Sequence, residues 1–121
     1  MAWDFETDPG LQAKLDWVKQ FVEEELIPLE TIMGDFSEEE WAKVQEPLKQ
    51  QVREQGLWAC HLEEELGGQG MGQLALAQMN MLTGRCMFAQ EIFGNMAPDS
   101  GNSELLAEGG TEEQKEKWLW P

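Results

Sequence analysis

Basic residues are scarce in this sequence. Eight Lys and Arg stand against 24 Asp and Glu, a formal charge of −16 over 121 residues. An acidic surface of that size repels phosphate backbones and anionic lipid headgroups, so neither nucleic acid nor a membrane is an expected partner. Histidine occurs once, at His61, which leaves no histidine-rich metal site and reads as a core or boundary residue. The two cysteines, Cys60 and Cys86, are too few for a disulfide framework. They read as small buried hydrophobes in a reduced cytoplasm, with a bridge between them left open by sequence. No apolar run approaches the roughly 18–20 residues needed to span a bilayer. The N-terminus, Met-Ala-Trp-Asp-Phe-Glu-Thr-Asp, lacks the basic start and apolar stretch of a secretory signal, so a cytoplasmic location is expected. Strand signals are almost missing.

What is present is helical punctuation around a usable core. Hydrophobic residues make up 41% of the chain, enough for one domain over residues 1–121. Asp8-Pro9 is an N-cap followed by proline at the first helical position. Leu11, Leu15, Val18, Val22 and Leu26 then recur on one helix face, widened by Trp17 and Phe21, until Pro28 bends or ends the helix. Ser37 and Glu40 form a capping box before a second helix carrying Trp41, Val44, Leu48 and Val52 inward. Pro47 lies inside that pattern and predicts a kink or a split. The short apolar run Leu57 to Leu62 is compatible with a strand, its length deciding nothing. A third helix from about Gln73 to Gly84 is apolar on nearly every side, so it is either central or sandwiched. A fourth is expected over Phe88 to Asn95, a break at Ala97 to Asn102, and a short helix from Ser103 to Glu108. Thr111 with Gln114 caps the last helix. The fold class is therefore all-α, a compact bundle of five or six helices.

Gly67-Gly68-Gln69-Gly70-Met71-Gly72 invites a phosphate-loop reading, but Gln73-Leu74 follows where the Walker pattern needs Lys and a hydroxyl. A hinge allowing close helix approach is the better account. The glutamate triplets at 23–25, 38–40 and 63–65 lack the ligand spacing of a calcium loop and read as solvated helix ends. Seven methionines suit a core, yet Met71, Met79, Met81 and Met87 are also candidates for an adaptable association face.

Three stretches in order resemble a known family: Glu54 to Leu62, Leu66-Gly67-Gly68-Gln69-Gly70, and Gly110-Thr111-Glu112-Glu113-Gln114-Lys115-Glu116-Lys117-Trp118-Leu119. They are similar to the "GL…xPExxGGxG" and "GTEEQKxxxL…P" segments of the acyl-CoA dehydrogenase N-terminal helical domain. Ala97 to Asn102 is similar to the intervening loop in one branch. The resemblance runs from about Trp3 to Pro121. Glu63 departs from it by replacing the usual proline, and Arg85-Cys86-Met87-Phe88 and Met96 depart from the compared branch.

The resemblance implies a reaction, α,β-oxidation of an acyl-CoA with hydride transfer to FAD. It also implies a division of labour, with the catalytic base and most flavin contacts supplied by a middle β-domain and a C-terminal helical bundle that residues 1–121 do not include. No catalytic residue, metal or cofactor is therefore expected of this chain alone. By the same resemblance Met96, Ser100 and Gly101 lie near the acyl-chain cavity; otherwise they are an ordinary helix connection with Gly101 in a turn. The expected partner is a second copy or the remaining domains, held through an apolar face. The alternative is a non-enzymatic acidic module, natural or engineered, that self-associates.

Overall fold

The computed structural model describes residues 6–120, and all of its regular structure is helical. The residues before Glu6, on which most of the secretory-signal reading falls, and Pro121 lie outside the described residues. Asp8 caps α1 (Pro9–Phe21), its carboxylate accepting from the amides of Gly10 at 2.9 Å and Leu11 at 3.1 Å. The rod does not stop at Pro28. It widens into a π-helical stretch, Val22–Leu26, and runs on as α2 (Ile27–Glu30). A proline ring clashes with the carbonyl four residues back, and a wider turn just upstream gives that carbonyl room. Leu15, Val18, Phe21, Val22 and Leu26 are all buried, as the apolar spacing predicts.

The Ser37–Glu40 capping box opens α3 (Glu38–Glu54), with Glu40 accepting from the Ser37 amide at 2.9 Å. Contrary to the expected kink or split, α3 passes through Pro47 as one helix of 17 residues. Pro47 is on the solvent side, where water can bond the carbonyl it leaves unpaired. Leu57 to Leu62 is not a strand but a series of turns, with Ala59 at φ 51° and its amide bonded to the Phe93 carbonyl at 3.0 Å.

The glycine loop leads into α4 (Gln73–Thr83), which packs against α1 and α5 (Ala89–Ile92). α5 also packs on α3, so the core gathers Val18, Leu26, Val52, Met79, Ile92 and Phe93. Phe93 meets the Phe21 ring edge-on at 6.0 Å, and Trp41 meets Phe88 edge-on at 4.9 Å. Two acidic groups of the long rod hold the α4–α5 turn. Arg85 donates to Glu23 at 2.6 Å, and the Met87 amide donates to Glu30. The final pair, α6 (Asp99–Gly109) and α7 (Glu112–Trp118), packs on itself and buries none of its residues fully.

The expected break at Ala97 to Asn102 is corrected: α6 begins at Asp99. Ser100 and Asn102 already donate helical bonds to the Met96 and Pro98 carbonyls, each at 3.0 Å. Gly101 is accordingly helical and not in a turn. Counting the long rod once, the described residues form six helical segments, an all-α fold.

Candidate functional site

Three amides of the glycine loop serve the fold: Gly67, Gly68 and Gly70 donate to the carbonyls of Glu64, Glu63 and Leu62 at 3.0–3.1 Å. Those three donors are not free for a phosphate, which favours the hinge reading. Gly68 is needed there because a Cβ would come within 2.1 Å of the Leu62 carbonyl oxygen. Cys60 and Cys86 are buried free thiols. Burial pushes the Cys60 thiol up to about 11, and its Sγ donates to the Leu57 carbonyl at 3.0 Å. Burial also raises the Cys86 thiol, so neither is a nucleophile at neutral pH.

The methionines divide. Met79 is fully buried in the core and is corrected from the association face: its side of α4 faces α1 and α5. Met71 is half-buried and packs against the core. Met81 at 76% and Met87 at 79% exposure stand open, as does Leu74 at 79%, one α4 face carrying both Leu74 and Met81. α4 contains no charged residue.

Met96, Ser100 and Gly101 lie together where the chain enters α6. Met96 is 40% exposed, Ser100 half-buried and Gly101 open to solvent. Two clefts flank this helix start. One, of about 550 Å³, runs between α6 and α7 and is lined by Leu105, Leu106, Trp118 and Leu119 with Asp99, Asn102 and Ser103. The other, of about 280 Å³, separates α6 from the 57–67 segment, with Trp58, His61, Leu62 and Trp120 among its walls. Ser103 borders both clefts. Its hydroxyl donates to the Ser100 carbonyl at 2.8 Å and lies 2.9 Å from His61 Nε2.

With the Ser103 proton given to the Ser100 carbonyl, which only accepts, the assignment that fits is a hydrogen on His61 Nε2 bridging to Oγ. The other tautomer would bury an Nδ1–H without an acceptor. Nδ1 is then bare, and it is buried with no partner. Burial holds the His61 pKa below its ordinary value, opposed by the Glu104 charge. Sequence marked Ser100 but not Ser103 or its bond to His61, because that contact joins residues 42 apart and only packing creates it.

Neither cleft fits a flavin dinucleotide by itself. Its diphosphate needs free amides or cations, whereas Asp99 is the charged group lining both clefts beside α6. Among the described residues no cluster of His, Cys, Asp and Glu could hold a metal.

The fold, with its long N-terminal rod, glycine-hinged α4 and outlying α6–α7 pair, is that of an acyl-CoA dehydrogenase N-terminal domain. Residues 9–121 match the family described as "Acyl-CoA dehydrogenase, N-terminal domain", and the chain belongs to that family. It is 36% identical over 118 residues to rat acyl-CoA dehydrogenase family member 11, covering 91% of this chain and 15% of that protein. It is 34% identical over 122 residues to mouse family member 10, covering 93% of this chain and 11% of that one. A solved Mycobacterium abscessus chain assigned to the acyl-CoA dehydrogenases superposes with a TM-score of 0.80 at 30% identity, over 97% of this chain and 32% of that one. The chain thus spans well under a fifth of these curated relatives' length.

Proposed function

We propose that the start of α6, with Met96, Ser100 and Gly101, forms one wall of the acyl-chain pocket of an FAD-dependent acyl-CoA dehydrogenase. In this reading residues 1–121 do not turn over acyl-CoA alone. The observation that carries the reading is the groove of about 550 Å³ lined by Asp99, Asn102 and Ser103 of that helix start with Leu105, Leu106, Trp118 and Leu119, in a chain of this family. Met96, Ser100 and Gly101 are its sequence neighbours and not part of its lining. Dehydrogenation needs a base at the α carbon and a flavin facing the β carbon, each within contact distance. The clefts here offer mostly apolar walls with the Asp99 carboxylate, the Asn102 amide, the Ser103 hydroxyl and the His61 imidazole, which suits lining and not reaction. Two unbridged buried thiols support a reducing, cytoplasmic setting.

Absorption spectra of the purified chain test the incompleteness: no flavin band and no response to an acyl-CoA are expected. Stoichiometric flavin that bleaches with acyl-CoA would overturn it. For the wall, grafting residues 96–103 into a flavin-bearing relative should alter its preference for acyl chain length, and an unchanged preference would remove the assignment.

A second reading rests on the open, uncharged face of α4. We propose that Leu74 and Met81, with Met87 nearby in sequence, are covered by further polypeptide. That cover is the rest of a longer family chain or, for residues 1–121 alone, a second copy in a symmetric dimer. Elsewhere a chain charged −16 repels its own copy. Sedimentation at tens of micromolar should show dimer, lost in Met81→Glu; monomer throughout would exclude self-association.

A further inference from the structure

We propose that His61 is a positioning residue, a proton-operated latch that docks the α6–α7 pair onto the body of the domain through Ser103. α6 and α7 bury none of their residues fully, and a cleft of about 280 Å³ lies between α6 and the 57–67 segment. The His61–Ser103 hydrogen bond, 2.9 Å long, crosses that cleft, and the Ser103–Ser100 bond extends it to the helix start.

The Nε2–H donor is present in both protonation states, so the difference between them lies at Nδ1, which is bare in the neutral imidazole. A second proton would put an N–H at Nδ1, a buried atom with no acceptor, and a charge beside Trp58 and Trp120. The charged groups facing the imidazole are Glu104 and Asp99, both on α6. The other cleft walls, Trp58, Ala59, Leu62, Leu66, Gly67, Gly94, Leu119 and Trp120, bring none, while Glu63, Glu64 and Glu65 of the same segment are exposed and outside the cleft lining. Glu104 favours the cation, but burial outweighs it and the docked pKa is depressed.

The sign follows by linkage. With the docked pKa below the undocked value near 6.5, docking is at full strength above that value. It weakens as pH falls from there toward the docked pKa, by up to tenfold per pH unit. Ser100 and Gly101 ride on α6, so in the acyl-pocket reading His61 also sets where that wall stands. This consequence rests on that reading, whereas the latch is tested without any acyl ligand, so the two fail separately.

Hydrogen exchange of the 121-residue chain, corrected for intrinsic rates, measures the latch. Between about pH 7.5 and 5.5, opening of α6 and α7 should rise, by at most about tenfold, while α1 and α4 hold steady. His61→Gln places an amide donor near Nε2 that does not titrate. It should keep α6 protected and abolish the pH step. Ser103→Ala should raise opening of α6 and α7 across the whole pH range. A step that survives in His61→Gln, or a wild-type chain without one, would overturn the proposal.

Discussion

Glu63 stands where the resemblance leads one to expect a proline, and its backbone is already set for one. Its φ is −65°, the angle a pyrrolidine ring imposes. Glu63 is also exposed, so little packing is at stake. Glu63→Pro should therefore stabilise the domain by about 0.4–1 kcal/mol, by restricting the unfolded chain. Urea denaturation checks this, and a lowered midpoint with unchanged slope would refute it. Gly94 is the opposite case at the same scale. Its φ is +66°, and a Cβ there would lie 2.6 Å from the Trp58 ring, so no other residue fits without moving an aromatic wall of the cleft. That close approach also explains why the tryptophan can cover the turn while Arg53 stacks on its ring at 4.3 Å.

At the scale of elements, capping signals were the most legible part of the chain. Asp8, Ser37 and Thr111 all cap the helices their spacing announces, because a cap is a contact between residues two or three apart. Prolines were harder to read. Pro28 and Pro47 each carry the same local penalty, yet the first is met by a π-helical turn and the second by an exposed position. Pro47 leaves the Lys43 carbonyl without its helical donor and gains nothing visible in return. Pro47→Ala should then add about 1–2 kcal/mol, less than the full propensity difference because the unfolded chain also gains freedom. Thermal melting is the check, and a fall in Tm would show that α3 depends on the ring. The break misplaced before Ser103 has a similar cause. Pro98-Asp99-Ser100-Gly101-Asn102 has the composition of a turn, but the same residues suit a helix's first turn, and the fold selects the second option.

At the scale of the whole molecule, charge and apolar area oppose each other. The ion pairs are mostly surface contacts, such as Lys43–Glu39 at 2.7 Å, and screening leaves each worth little. With 24 acidic groups on a small body, self-repulsion is the larger electrostatic effect. Docking a second copy on α4 has to overcome it, so the expected dimer should tighten as salt rises from about 0.05 to 0.5 M. Sedimentation across that range measures it. A dimer that weakens with salt would point to ion pairing and away from the uncharged α4 face.

The sequence by itself determined the helical class, the caps, the buried stripe of the first helix and the family, since each depends on spacing along the chain. It also made a charge of −16 an argument about partners. Tertiary structure decided which side of α4 is core, and so separated Met79 from Met81. It decided that three glycine-loop amides serve the fold and that His61 reaches Ser103 across 42 residues. Helical periodicity says that a residue faces something. Only the packing of distant segments says what it faces and whether a polar atom meets a partner there.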